Sequence, residues 1–138
     1  MTVFRMGFDL VEVERFGRLL ARHGPRALAR LFTPRERADA RGRVERLAAR
    51  FAAKEATAKA LGTGIGPVGW HEIEVRLDAQ GAPVLHLHGR AAQRARALGL
   101  VGWSVSLTHT DRCAGAVVLA WGPGPATDSA PAASEPSS

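Results

Sequence analysis

Apolar positions recur at two different periods along this chain of 138 residues, and the switches between them mark out its elements. Thr2 to Phe8 is mostly apolar and predicts a strand, which ends at Asp9 and gives way to a helix. On that helix Leu10, Val13, Phe16 and Leu20 make a core stripe, while Arg15, Arg18 and Arg22 make a basic one. Thr33-Pro34-Arg35-Glu36 is a helix start, with threonine as N-cap, proline in the first turn and glutamate closing a capping box. That helix ends near Gly42. A longer one follows from about Arg43 to Leu61, with Gly62 as its C-cap. Its core stripe is Val44, Leu47, Phe51 and Ala58, and Glu55 falls within it. A carboxylate therefore faces inward, where a charge is costly unless it is paired or holds a metal.

Strand signals dominate afterwards. Ile73, Val75 and Leu77 alternate with Glu72, Glu74 and Arg76, a turn follows from Asp78 to Gly81, and Pro83 to His88 returns as a second strand. Arg90 to Leu98 reads as a helix ended by Gly99, and Val101 to Leu107 and Ala114 to Trp121 as two more strands. The sum is a single α+β domain over residues 1–121. Residues 122–138 are rich in Pro, Ala and Ser, contain no large apolar side chain, and read as a flexible tail.

Composition adds little beyond a soluble, cytoplasmic expectation: no apolar run nears the roughly 18 residues a membrane helix needs, and no secretory leader opens the chain. Cys113 stands alone and reads as a small core residue. Charge changes the picture more. The 19 basic residues are 17 arginines and two lysines, Lys54 and Lys59, both on the long helix. Residues 1–60 carry net +7 and residues 61–138 net −1, so the first half attracts an anionic partner: a nucleic acid, a phosphorylated small molecule or an acidic protein.

Three features stand apart from ordinary packing. Asp9 sits at the strand-to-helix junction, where it suits an N-cap or a metal ligand. Lys54, Glu55 and Lys59 share one helix, with Glu55 and Lys59 four apart and able to form a simple ion pair. Gly62-Thr63-Gly64-Ile65-Gly66 lets backbone N–H groups approach an anion, although it is no Walker loop. His86 and His88 share a strand face, lack a third ligand and read as solvated. His109 follows a strand that carries Ser104, Ser106 and Thr108 on one face, a wall suited to an anion or a substrate.

Gly7-Phe8-Asp9-Leu10-Val11-Glu12-Val13-Glu14-Arg15, Arg50-Phe51-Ala52-Ala53-Lys54-Glu55-Ala56, Lys59-Ala60-Leu61-Gly62-Thr63-Gly64 and Val105-Ser106-Leu107-Thr108-His109-Thr110 together resemble the holo-acyl-carrier-protein synthases, small bacterial phosphopantetheinyl transferases. The order and spacing match along nearly all of residues 3–120, and the Trp70–Gly81 segment followed by Pro83 fits the same pattern. His71-Glu72 stands where the family commonly has a basic residue and aspartate, and Thr108 where serine is common.

The resemblance implies a phosphopantetheinyl-transferase-like fold, an antiparallel sheet packed with a long helix, assembled as a trimer with coenzyme A between subunits. It implies transfer of 4′-phosphopantetheine from coenzyme A to a serine of an acidic apo acyl carrier protein, with release of adenosine 3′,5′-bisphosphate. Asp9 and Glu55 would hold Mg²⁺, and Glu55, Lys59 and His109 would be catalytic. The serine's proton would go to Glu55, directly or through a metal-bound water, or to Lys59. Arg50, Lys54, Gly62, Thr63, Gly64, Pro83, Thr108 and His109 would surround the coenzyme. Arg15 would dock the carrier, and helical spacing adds Arg18 and Arg22 to it. Two rival readings are a basic nucleic-acid-binding domain and a carrier-binding module without catalysis.

Overall fold

Small side chains on one helix and glycine on one strand let backbone layers approach closely, and that contact sets the architecture. The computed structural model describes residues 1–126. Its elements run β1 (Val3–Glu12), α1 (Val13–Leu31), α2 (Pro34–Ala40), α3 (Val44–Leu61), a 3-10 turn at Trp70–Glu72, β2 (Ile73–Leu77), β3 (Pro83–Leu87), α4 (Gly89–Ala97), β4 (Gly102–His109) and β5 (Cys113–Gly122). β5 is the middle strand of an antiparallel sheet ordered β1-β5-β4, and β2 and β3 form a separate hairpin. The alanine-rich α3 lies across one sheet face, with Ala52, Ala53, Ala56 and Ala60 buried together with Ala116 and Val118 of β5.

β1 runs past its expected end, pairing with β5 in an unbroken register from Val3↔Gly122 to Glu12↔Cys113. Asp9 is therefore a strand residue and no helix cap. Leu10 leaves the expected α1 stripe for the outer sheet face, whereas Phe16 and Leu20 are buried as that stripe requires. α1 is bent at Gly24 (φ 66, ψ −158), because Pro25 has no N–H to continue the helical ladder. On α3 the expected narrow stripe widens to nearly the whole circumference. Alanine, which period counting scarcely weighs, supplies most of that burial. Gly122 ends β5, and the N–H of Gly124 donates to Gly99 O, so the chain remains packed beyond the expected boundary at 121. Most of the expected tail, residues 127–138, lies outside the described residues.

The capping box at Thr33 is present, and Glu36 does more than close it. Its Oε1 accepts from Thr33 N (2.9 Å) and pairs with Lys54 Nζ (2.8 Å), while Oε2 accepts from Val75 N (2.8 Å). Lys54 also donates to Trp70 O (2.8 Å) and Ile73 O (2.7 Å) and is 0% exposed. Burial pushes its pKa down, and the Glu36 carboxylate opposes that shift. All three ammonium protons are used inside the domain, so Lys54, expected beside the coenzyme, ties α2, α3 and the hairpin together.

Glu74, which alternates with the apolar residues of β2, is also buried. Burial pushes its pKa up. Hydrogen bonds from Thr33 Oγ1 (2.8 Å), His88 Nε2 (3.1 Å) and Arg76 Nε (3.0 Å) outweigh that and hold it at about 2. A carboxyl depressed in the folded state stabilises above its unfolded pKa, near 4.5, and loses that contribution as pH falls toward 2. Urea denaturation between pH 6 and pH 2 should show the native protein losing about 3 kcal/mol more than Glu74→Gln over that window. Parallel pH profiles for the two proteins would contradict the assignment.

Candidate active site

Gly7 is the point at which β1 meets α3. A β-carbon added there would lie 1.7 Å from Ala56 O, so only a bare backbone permits the approach. Two residues along the same strand face, Asp9 meets the exposed turn of the helix. Lys59 Nζ donates to Phe8 O (3.0 Å) and to Asp9 Oδ1 (3.1 Å). The side chain of Asp9 is 20% exposed and that of Lys59 54%, so the pair sits at a surface opening.

Glu55, one turn earlier on α3, is half-buried. Burial pushes its pKa up, the charge on Asp9 pushes it further, and Lys59 pulls it back. The simple Glu55–Lys59 ion pair allowed by their spacing gives way to a Lys59–Asp9 pair, because the strand brings its carboxylate within reach. Asp9 and Glu55 line an open cavity of about 370 Å³ whose floor includes Val11, Phe16 and Phe51 and whose rim carries Arg15. Among the described residues no cluster of three metal-ligating side chains exists. Asp9 and Glu55 offer hard oxygen donors of the type Mg²⁺ accepts, and that ion would need water or phosphate oxygens besides.

The other expected residues fall into separate groups. Gly62 ends α3 in the left-handed region (φ 76), and Thr63 and Gly64 continue from it, with Thr63 Oγ1 donating to Gly64 O (2.9 Å). Arg50 is buried and does not line the cavity; its Nη1 donates to Arg46 O (3.2 Å). Pro83 opens β3, Thr108 is exposed on the sheet face turned away from α3, and His109 is exposed where β4 ends. A single chain thus does not bring Thr108, His109 and Pro83 to the carboxylate pair. Arg18 is held by Glu14 (2.7 Å), and Arg22 lines a neighbouring groove of about 650 Å³ with Arg26 and Arg30.

Sequence reading missed three arginines. Arg5 and Arg94 donate through Nε to the last carbonyls of α3, Ala60 O and Leu61 O. Arg112 enters a cavity shared with Arg15 and Arg18, because Val13 N donates to Arg112 O (2.8 Å) and ties the β4–β5 turn to the start of α1. No periodicity carries such information, since each contact joins segments remote in sequence.

A strand-borne aspartate thus faces a helical Glu-x-x-x-Lys, with a glycine turn immediately beyond. The model of the 4′-phosphopantetheinyl transferase superfamily matches residues 5–115. The chain is 50% identical over 130 residues to the holo-[acyl-carrier-protein] synthase of Chloroflexus aggregans, covering 83% of this chain and 93% of that one. It is 46% identical over 123 residues to that of Herpetosiphon aurantiacus, covering 84% and 97%. Among solved structures, the Helicobacter pylori holo-[acyl-carrier-protein] synthase in complex with coenzyme A superposes with a TM-score of 0.77 at 28% identity, over 83% of this chain and 98% of that one. The Neisseria meningitidis enzyme gives 0.77 at 35% identity, over 84% and 96%. The chain belongs to the 4′-phosphopantetheinyl transferase superfamily, in the holo-[acyl-carrier-protein] synthase family.

If Gly7 is the contact that positions Asp9, Gly7→Ala should destabilise the fold by roughly 1–3 kcal/mol through overpacking and lower turnover at the same time. Urea denaturation and a rate assay on the same preparation check this. Unchanged stability would show that α3 yields freely at Ala56.

Proposed function

We propose that this chain transfers 4′-phosphopantetheine from coenzyme A to a serine hydroxyl of an apo acyl carrier protein and releases adenosine 3′,5′-bisphosphate. The observation that carries this reading is the convergence of Asp9, Glu55 and Lys59 at one surface opening, with Arg15 on the rim of the same cavity. Asp9 and Glu55 are the residues to hold Mg²⁺, which when bound would polarise the reacting phosphorus and neutralise charge on the leaving phosphate. Lys59, anchored by Phe8 O and Asp9, keeps a third N–H for a phosphate oxygen and adds a fixed positive charge where negative charge accumulates. The serine's proton goes to the Glu55 carboxylate, the proton acceptor that lines the same cavity. The bond from serine oxygen to phosphorus forms as the diphosphate bridge breaks, and the nucleotide leaves as its phosphate.

The docking face follows from charge. Arg15, Arg18 and Arg112 line one cavity together with Glu12, Glu14 and Asp111, so the attraction for an acidic carrier comes from the wider surface of a chain whose first sixty residues carry net +7. We further propose a homotrimer. Phe4, Met6, Phe8 and Leu10 are 64%, 66%, 61% and 61% exposed on the outer sheet face beside Val117, a larger apolar surface than a monomer leaves to water. Closing that face with a second copy would also supply Thr108, His109 and Pro83 to a coenzyme lying between subunits. No helix among the described residues is long and apolar enough to cross a membrane, which accords with a cytoplasmic enzyme.

Mass spectrometry of an apo carrier incubated with the chain, coenzyme A and Mg²⁺ should show a gain of one phosphopantetheine, and EDTA should abolish it. A carrier of unchanged mass would overturn the reading, and nucleic-acid binding that persists in EDTA would favour the basic-domain alternative. Arg15→Glu should raise the carrier's KM by about tenfold or more while leaving that of coenzyme A nearly unchanged. Equal effects on both substrates would remove Arg15 from the docking face.

A further inference from the structure

Arg5 of β1 and Arg94 of α4 reach the end of α3 from two sides, each using its Nε–H on one terminal carbonyl, Ala60 O for Arg5 and Leu61 O (3.0 Å) for Arg94. Cations at a helix C-terminus are favourable, so each alone would be an ordinary cap. Their outer nitrogens, however, flank one small space. A β-carbon added to Gly62 would lie 2.9 Å from Arg5 Nη2 and 3.6 Å from Arg94 Nη2. Among the described residues neither guanidinium forms an ion pair or donates through Nη, so two like charges face each other with no acid between them. The end of the described chain passes between the elements that carry them. Gly124 is buried, and its N–H donates to Gly99 O (3.2 Å) just beyond α4. A β-carbon on Gly124 would lie 2.8 Å from the Val3 side chain of β1. Val3 and Arg5, two apart on that strand, share a face at a spacing of roughly 7 Å. Whatever follows Gly124 therefore starts beside both arginines.

We propose that Asp128 docks between Arg5 and Arg94, laying the segment that follows Gly124 across the end of α3. Residues 127–138 lie outside the described residues and hold two acids, Asp128 and Glu135, and no basic residue. Asp128 comes four residues after Gly124 and reaches up to about 13 Å from it, more than the step from Val3 to Arg5. A carboxylate between two guanidinium forks takes charge-assisted hydrogen bonds from both and removes their repulsion. The Nε–H bonds to α3 already fix the forks, so docking orders little that is not ordered beforehand. So short a tether holds the acid at an effective concentration in the millimolar range, and even a weak ion pair then populates the docked form. Glu135, further along the chain, is held at a lower one. Gly62 keeps the space clear, since a side chain there would meet Arg5 Nη2 first. The contact needs neither coenzyme nor carrier.

The test uses the full chain, isotope-labelled, and follows the Nε–H signals of Arg5 and Arg94 and the Gly62 amide by NMR at low salt. Asp128→Asn should shift all three, and raising the salt to about 0.5 M should carry the native signals toward the same positions. Glu135→Gln should leave them in place. In the reverse direction, Arg94→Gln should shift the Asp128 amide, whereas Arg96→Gln, which removes an exposed charge from the same helix, should not. Should Arg94→Gln fail to fold, the Asp128→Asn comparison decides by itself. Native signals that Asp128→Asn leaves unmoved would overturn the docking. An equal response to Arg96→Gln would overturn it too, since the acid would then follow the general positive field and not this pair.

Discussion

The contact between Gly7 and the carbonyl of Ala56 holds the rest in place. A strand and a helix pressed together without a β-carbon between them leave little room for relative movement, because interiors pack at crystal-like density. Asp9, on the same strand face as Gly7, and Lys59, on the helix turn after Ala56, inherit that fixed separation. A site that handles phosphates needs its charges held before the ligand arrives, since reorganising them during reaction would consume the stabilisation they offer. Here they are carried by a helix and a strand and not by loops.

The second constraint is the buried tie from Lys54 to Glu36. Removing one member of such a pair leaves an uncompensated charge inside the domain. The tie joins α2, α3 and the peptide groups of Trp70 and Ile73, so it holds the hairpin relative to the same helix that carries Glu55 and Lys59. Lys54 and Glu55 are adjacent in sequence yet face opposite environments. One is sealed in a hydrogen-bonded network, and the other borders an open cavity with a raised pKa.

Much of this was legible in the sequence where the signal was local. The capping box at Thr33, the C-cap at Gly62 and the hairpin turn at Asp78–Gly81 all depend on residues a few positions apart, and all are present, whereas Glu55, expected to face inward, is only half-buried beside an open cavity. Errors arose where distant segments decide. Whether Asp9 ends a strand or lies within one depends on β5, whose Ala116 pairs with it more than a hundred residues later. Glu74 alternates as a solvent-facing residue should, and is buried because Thr33, Arg76 and His88 satisfy it. Arg5 and Arg94 belong to no motif, and only their arrival at one helix end from two different elements sets them apart.

The scarcity of lysine, two among nineteen basic residues, resolves into two separate physical reasons. At position 54 the site offers one carboxylate oxygen and two carbonyls at 2.7–2.8 Å from a single nitrogen, which suits a compact three-donor ammonium. A planar guanidinium has the wrong shape for that space. At position 59 one nitrogen is anchored to Phe8 O and Asp9 while its remaining N–H faces the opening, so the charge is concentrated at a point beside the carboxylates. A guanidinium would spread it over a plane. Arg15, Arg18 and Arg22 line exposed faces and Arg5 and Arg94 clasp a helix end, where reach and a fork of donors are advantages, so at these positions the choice between the two cations follows the geometry to be filled.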